Sequence, residues 1–84
     1  MEQIINFPEY NKSGLKIKWE KNFKIKITNN KQIILKSNKE GLISLARIFL
    51  SLSQDNVPEG YHIHLDESNS LQDGSSELII ERQD

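Results

Sequence analysis

Three stretches in the first half of the chain alternate between apolar and polar residues. Leu15–Glu20, Phe23–Thr28 and Gln32–Lys36 each place an apolar side chain at every second position. This period is typical of β-strands with one face in water. Two short turns separate the strands, Glu20–Asn22 and Asn29–Lys31, because asparagine tolerates the positive φ that tight turns require. We therefore predict an antiparallel meander of three strands.

One helix is predicted after the meander, over Ser37–Gln54. Ser37 and Glu40 have the spacing of a capping box at its start, and Pro58 prevents the helix from continuing. The apolar arc of this helix is wider than a single packed face requires. Its polar side chains occupy one narrow stripe: Ser44, Arg47, Ser51 and Gln54.

The wide apolar arc predicts that a flank of the helix is covered as well as its packed face. One interpretation is that loops and the N-terminal segment lie over this flank. The other is a homodimer or partner surface that includes Ile43 and Leu50. Residues 1–13 contain apolar side chains interrupted by Pro8, and we expect an arm or short edge segment there that lies over the core.

Two further strands are predicted in the second half of the chain. Tyr61–Asp66 alternates, and Glu77–Glu81 places Ile79 outward, with a polar loop between the two strands. The order β-β-β-α-β-β predicts one two-layer α+β domain over residues 1–84. In this domain the helix packs on one face of a mixed sheet, and the fourth strand pairs in parallel with a strand of the meander, most simply the first, through a right-handed crossover.

The composition limits the classes of protein. The chain has 84 residues and no cysteine, which excludes a disulfide framework and a thiolate metal site. No segment approaches the ~20 apolar residues of a membrane span. The N-terminus lacks the basic region and apolar run of a signal peptide. We therefore predict a cytoplasmic protein without a membrane contact.

The two halves of the chain have opposite charge. Residues 1–37 contain eight lysines and three acids, a balance of +5, whereas residues 38–84 contain three basic and nine acidic residues, a balance of −6. The difference fits simple solubility patterning, and it equally fits two surfaces that attract partners of opposite sign.

The polar face of the strand Tyr61–Asp66 carries the clearest candidate for a metal-binding or catalytic site. His62, His64 and Asp66 occupy every second position, and two imidazoles with a carboxylate are ligands that zinc or iron accepts. Alternating polar residues also occur on any half-exposed strand, and steps along one strand rarely close around a metal. We predict no metal and no cofactor.

An enzyme and a nucleic-acid platform are also disfavoured. There is no nucleophile elbow and no glycine-rich phosphate loop, since the four glycines are scattered. The outward lysines of the meander are not interleaved with stacking rings, because Trp19 and Phe23 fall on its apolar face. We predict a non-enzymatic protein that does not bind nucleic acid.

The second half of the chain resembles a known family. A leucine-rich helix (EGLISLARIFLSLS) precedes the strand Gly60–Asp66, a polar loop and the segment Gly74–Ile80. This order is similar to that of small bacterial immunity proteins of polymorphic toxin systems, in the family numbered thirty-two. The resemblance implies a protein that binds and neutralises a cognate toxin domain encoded next to it. The family pattern falls on Gly60, His62, His64, Asp66, Ser76, Glu77 and Leu78.

We expect the surface that faces the toxin to lie in the acidic second half, since toxin nucleases often present basic clefts. The predicted partner-binding residues surround the fourth strand and the loop after it: His62, His64, Asp66, Glu67, Asp73, Glu77 and Glu81. Two alternatives stay open. One is a structural domain that dimerises through the helix, and the other is a His-dependent metalloenzyme.

Overall fold

In the part of the chain that the structure describes, four strands and one helix form the fold. The computed structural model describes residues 4–11 and 13–84. The elements are β1 (Ile25–Asn30), β2 (Gln32–Ser37), α1 (Lys39–Leu52), β3 (His62–Leu65) and β4 (Leu78–Glu81). β1 pairs with β2 and β3 pairs with β4, both antiparallel, in two separate sheets. The α+β class is confirmed, but the predicted mixed sheet is replaced by two hairpins. Met1–Gln3 and Lys12 of the predicted N-terminal arm lie outside the described residues.

The first predicted strand, Leu15–Glu20, forms no ladder with the strands of the described residues. The N–H groups at its two ends bond to side chains instead, since Leu15 donates to Tyr61 Oη and Glu20 donates to Ser44 Oγ. The apolar side chains of this stretch pack against the core as predicted. Trp19 stacks on Phe23, with ring centroids 4.5 Å apart. The alternating pattern therefore identified the packed face correctly but not the backbone partners.

The β1–β2 hairpin has the predicted strand pair, with Ile25 and Ile27 buried. The residue of positive φ in its turn is Lys31 at 64°, whereas asparagine was expected. On its other edge β1 accepts backbone bonds from the polar loop, Gln72 N to Ile25 O at 2.8 Å and Ser76 N to Ile27 O at 2.7 Å. This loop takes the place beside β1. Among the described residues β3 pairs only with β4, and Leu15–Glu20 forms no strand, so the predicted parallel pairing is not confirmed.

The helix begins one residue later than the capping box predicts. Asn38 is the N-cap, and its Oδ1 accepts from Gly41 N at 2.8 Å. The same oxygen accepts from Lys24 N at 2.9 Å, so that one side chain ties the start of α1 to the approach to β1. Ser37 instead lies against Gly41, where a Cβ would also come within 2.9 Å of Lys24 O. This close approach explains a glycine inside a helix that would otherwise favour alanine.

The polar stripe of α1 faces the protein rather than water. Ser44 is fully buried and Ser51 is 4 % exposed. Arg47 Nε donates to Asn6 O at 2.9 Å, and its Nη2 bonds to Glu20 Oε1 at 2.9 Å. Gln54 Nε2 donates to Pro8 O at 3.1 Å. The stripe therefore holds the N-terminal segment, and apolar side chains on the opposite flank are left in water.

The β3–β4 hairpin lies against the core through alternate residues, as predicted. Ile63 and Leu65 are buried, and Ile79 is exposed. Arg82 follows β4 and donates through Nη1 to Leu52 O at 2.7 Å and to Gln54 O at 2.8 Å. A cation at Leu52 O, the last helical carbonyl, is favourable because this group lacks a partner within the helix, and Gln54 O lies just beyond the helix end. Arg82 thus joins the end of α1 to this second hairpin.

Replacing Asn38 with alanine is expected to lower the free energy of unfolding by about 1–2 kcal/mol, because the N-cap bond and the Lys24 bond are both lost. Ser37→Ala is the matched control, and its effect should stay within about 0.5 kcal/mol. Urea denaturation measures both. Equal losses for the two variants would contradict the assignment of the cap to Asn38.

Candidate functional site

The outward residues of β3 and β4 form one surface, called here the β3–β4 outer face. The register places His62 opposite Glu81 and His64 opposite Ile79. Because side chains alternate along a strand, Asp66 and Glu77 continue this face beyond the ladder. The surface therefore consists of five of the predicted partner-binding residues and one isoleucine: His62, His64, Asp66, Glu77, Glu81 and Ile79.

An imidazole and two carboxylates meet at one end of this face. His64 Nε2 lies 3.4 Å from Glu77 Oε2 and 3.9 Å from Asp66 Oδ2. Their side chains are 45 %, 71 % and 26 % exposed respectively, so that water screens the attraction. The cluster is an ion-pair network when His64 is protonated, and it leaves two negative charges at the surface when His64 is neutral.

Asp66 is the most firmly held member of this cluster. Its Oδ1 accepts three hydrogen bonds, from Ser68 Oγ at 2.7 Å, Ser68 N at 2.9 Å and Asn69 N at 3.1 Å. The Ser68 hydroxyl is the main cause of the lowered pKa of Asp66. Burial opposes it as the next largest effect, and the backbone bonds and nearby His64 lower the pKa further. Asp66 Oδ2 remains directed toward His64. The loop therefore fixes a charged carboxylate in place.

The two loop acids of the predicted site differ in their surroundings. Glu67 Oε2 accepts from Gly74 N at 2.6 Å and closes the loop on itself. A shallow cleft of about 260 Å³ lies beside it, lined by Asp66, Glu67, Ser68, Ser75 and Glu77. Asp73 is exposed in the turn before Gly74. The cleft extends the β3–β4 outer face onto the loop.

The residues that could together bind a metal differ from the set that the sequence suggested. Among the described residues, the ligand atoms of His64, Asp66 and Glu77 lie within 4.8 Å of one another. His62 is not in this set, and its Nδ1 lies 3.2 Å from Gly60 O. Glu77 joins the set because the register continues to place it across from Asp66 and diagonal to His64, whereas His62 lies further along the strand toward Glu81. Such a set suits a divalent cation and an ion-pair cluster equally.

Ile79 is the residue of this surface that the sequence did not assign to the site. It is 56 % exposed and is surrounded by charged and imidazole side chains. Its outward position was predicted, but the site was built from acidic and histidine residues alone. An isoleucine on the solvent-exposed face of an alternating strand could have indicated this role, since exposed apolar side chains inside polar rims are typical of protein–protein contacts.

A comparison with protein families identifies the class. The profile of the family described as Immunity protein 32 matches residues 32–83, which is more than half of the chain. The chain belongs to the Immunity protein 32 family. The matched segment runs from the first residue of β2 through β4 and includes the whole β3–β4 outer face of this immunity protein. No curated protein and no solved structure matches it.

The described part of this immunity protein has no helix that is both long enough and apolar enough to cross a bilayer.

Ser68→Ala is expected to raise the pKa of Asp66 toward its ordinary value of 3.8, because the strongest hydrogen bond to the carboxylate is lost. A lowered pKa in the folded state adds stability above the ordinary pKa, and this stability is lost as the pH falls through the lowered value. The variant should therefore lose less stability on acidification than the parent. An NMR titration of the Asp66 carboxyl carbon measures the shift. Ser68→Thr keeps the hydroxyl, and an equal change in this control would contradict the assigned cause.

Proposed function

We propose that this immunity protein binds a cognate toxin domain through the β3–β4 outer face and neutralises it by occupying its working surface. Family membership supports an immunity role. The single observation that carries the choice of surface is the fixed acidic cluster of Asp66 and Glu77 around His64. Asp66 is held in advance by three hydrogen bonds, so little side-chain entropy is lost on binding.

The charge of the surface supports a basic partner. Asp66, Glu67 and Glu77 line one cleft, and Glu81 lies at the other end of the hairpin. Residues 38–84 carry a balance of −6, and most of the acids near β3 and β4 face water. Complementary fields of this kind accelerate association and reject partners of the wrong sign. A toxin that works on an anionic substrate such as nucleic acid would present the matching basic cleft.

Ile79 supplies the apolar contact that charges alone do not provide. Binding energy at protein contacts concentrates in a few well-packed side chains that a polar rim protects from water. Ile79 lies opposite His64 and, along its own strand, between Glu77 and Glu81, which gives it such a rim. We propose that the chain acts by binding, without catalysis, in the cytoplasm where the toxin would otherwise act.

The double charge reversal Asp66→Lys with Glu77→Lys is expected to weaken binding to the toxin domain encoded beside this chain by at least ~30-fold, or about 2 kcal/mol. Calorimetry with that purified, catalytically inactivated domain measures the affinity. Growth of cells that express the active toxin domain together with each variant measures protection.

The matched control is Glu9→Lys with Asp55→Lys, which makes the same change in net charge at exposed positions outside this face. The control should bind within about threefold of the parent at moderate salt. Equal weakening by both pairs would reduce the effect to net charge. Unchanged binding by the reversed site would place the toxin on another surface.

Ile79→Ser is expected to weaken the same complex by roughly tenfold or more, mainly through faster dissociation, because the apolar centre of the contact is lost. Ile79 is more than half exposed, so the fold should be retained, and circular dichroism checks this. An association rate that falls while the dissociation rate stays constant would exclude a role for Ile79 as an anchor.

A further inference from the structure

A second surface, on the other side of the molecule, is apolar and has an open strand edge. Among residues 4–11 and 13–84, β2 pairs only with β1. Three consecutive residues of β2 are exposed: Ile33 at 74 %, Ile34 at 48 % and Leu35 at 41 %. Open edges of this length are usually protected by proline, a bulge or an inward charge. The centre of β2 has none of these, and its lysines lie only at the ends, at Lys31 and Lys36.

The hydrogen-bond pattern shows which backbone groups are free. Asn38 N donates to Lys24 O, one step beyond the pair Ile25–Ser37. Bonded and non-bonded pairs alternate along an antiparallel ladder, so the even-numbered residues of β2 bond to β1. Ile33 and Leu35 therefore direct their N–H and C=O groups to the open edge, which is a template for a further strand.

An apolar flank of α1 lies on the same side as this edge. Leu42 and Phe49 are 54 % and 53 % exposed. They lie about 140–160° around the helix from Arg47, at 3.6 residues per turn. The Arg47 side of α1 faces the stretch 15–18 and Ile63 of β3. In the other layer, β1 lies between β2 and the loop that leads into β4, so that β2 is on the side away from this loop. The flank opposite Arg47 is therefore directed to the β2 side.

We propose that this surface binds a second copy of the chain, by antiparallel pairing of β2 with β2 of the partner about a two-fold axis at Ile34. This register places Ile33 opposite Leu35 of the other copy in bonded pairs and Ile34 opposite its own symmetry mate. All three apolar residues are then matched. Lys36 lies opposite Gln32, and Lys31 lies opposite Ser37, so no like charges oppose each other.

The neighbouring registers are less favourable. A shift by one residue would align outward backbone groups with groups already bonded to β1, which the ladder forbids. An axis at Leu35 would place Lys36 opposite Ile34 and Lys31 opposite Lys39. An axis at Ile33 would place Lys31 opposite Leu35 and Gln32 opposite Ile34, so that only the axis at Ile34 matches all three apolar residues.

The apolar area available is sufficient for such a dimer. Ile33, Ile34, Leu35, Leu42 and Phe49 together expose on the order of 500 Å², judged from their exposed fractions. A standard interface takes roughly 800 Å² from each copy, and about 65 % of it is apolar in homodimers. The pairing keeps the helices of both copies on the same face of the joined sheet, where their apolar flanks face the axis. The sequence had placed the dimer contact at Ile43 and Leu50 instead.

Sedimentation equilibrium of the full chain tests the proposal, from about 1 to about 300 µM, the range of weak to moderate homodimers. The mass is expected to rise toward twice 9.7 kDa. Hydrogen exchange should show protection of the Ile33 and Leu35 amides in the dimer. A mass of one chain at every concentration would overturn the inference, whether or not the toxin domain binds elsewhere.

Ile33→Pro removes one outward N–H from each copy and should shift the equilibrium to monomer by at least tenfold, since proline is tolerated at an edge position whose N–H is unpaired. Ile4→Pro is the matched control at an 87 % exposed isoleucine, and it should remain dimeric.

If Ile33→Pro fails to fold, Ile34→Lys tests the same axis by placing two lysines against each other. A dimer that survives Ile34→Lys would rule out the β2 pairing. A monomer whose Ile33 and Leu35 amides are protected only by the toxin domain would assign this edge to that partner and overturn the second-copy assignment.

Discussion

The inward polar stripe of α1 is the constraint on which the rest of the fold depends. The two hairpins share no ladder, and the backbone bonds between them come only from the loop at Gln72 and Ser76 among the described residues. The helix therefore supplies most of the remaining connection. Asn38 bonds the start of α1 to the approach to β1, and Arg82 bonds its end to the β3–β4 hairpin. Between these points Ser44 and Arg47 hold the stretch that lacks a strand partner of its own. A small domain thus uses side-chain bonds where a larger one would use a continuous sheet.

This solution has a cost that appears on the opposite flank. The buried polar side chains of α1 occupy part of the face that packs against the protein, so fewer of its apolar side chains can be buried. The helix is apolar over most of its circumference. Leu42 and Phe49 consequently remain half exposed while Ser44 and Ser51 are buried. Arg47 Nη1 is buried without a hydrogen-bond partner among the described residues, which adds to the free-energy cost of the arrangement. An apolar flank that the monomer cannot cover is the physical origin of the second surface.

Local patterns in the sequence predicted most of the elements and the side-chain faces but not their assembly. The alternation of Ile63 with His64, and of Leu78 with Ile79, specified which side chains meet the core, because the period of a strand allows only two faces. The partners of a strand are decided by distant groups that no local period records. Leu15–Glu20 has the pattern of a strand, yet Tyr61 Oη and Ser44 Oγ accept from its first and last backbone N–H groups. The cluster of His64 with Glu77 was missed for the same reason, since it depends on the register of two strands.

Separation of charge between the two hairpins constrains how copies of the chain can meet. Most of the lysines lie on or next to β1 and β2, whereas most of the acidic residues lie near β3 and β4. Attraction between these unlike surfaces alone would join copies head to tail, and such contacts can grow without closing. Lys31 and Lys36 oppose the misaligned pairings of β2, and the three apolar residues between them favour a contact that is closed after two copies. The proposed closed contact on that side would leave the acidic face of each copy in water, so that self-association and the proposed capture of a basic partner would not compete for the same residues.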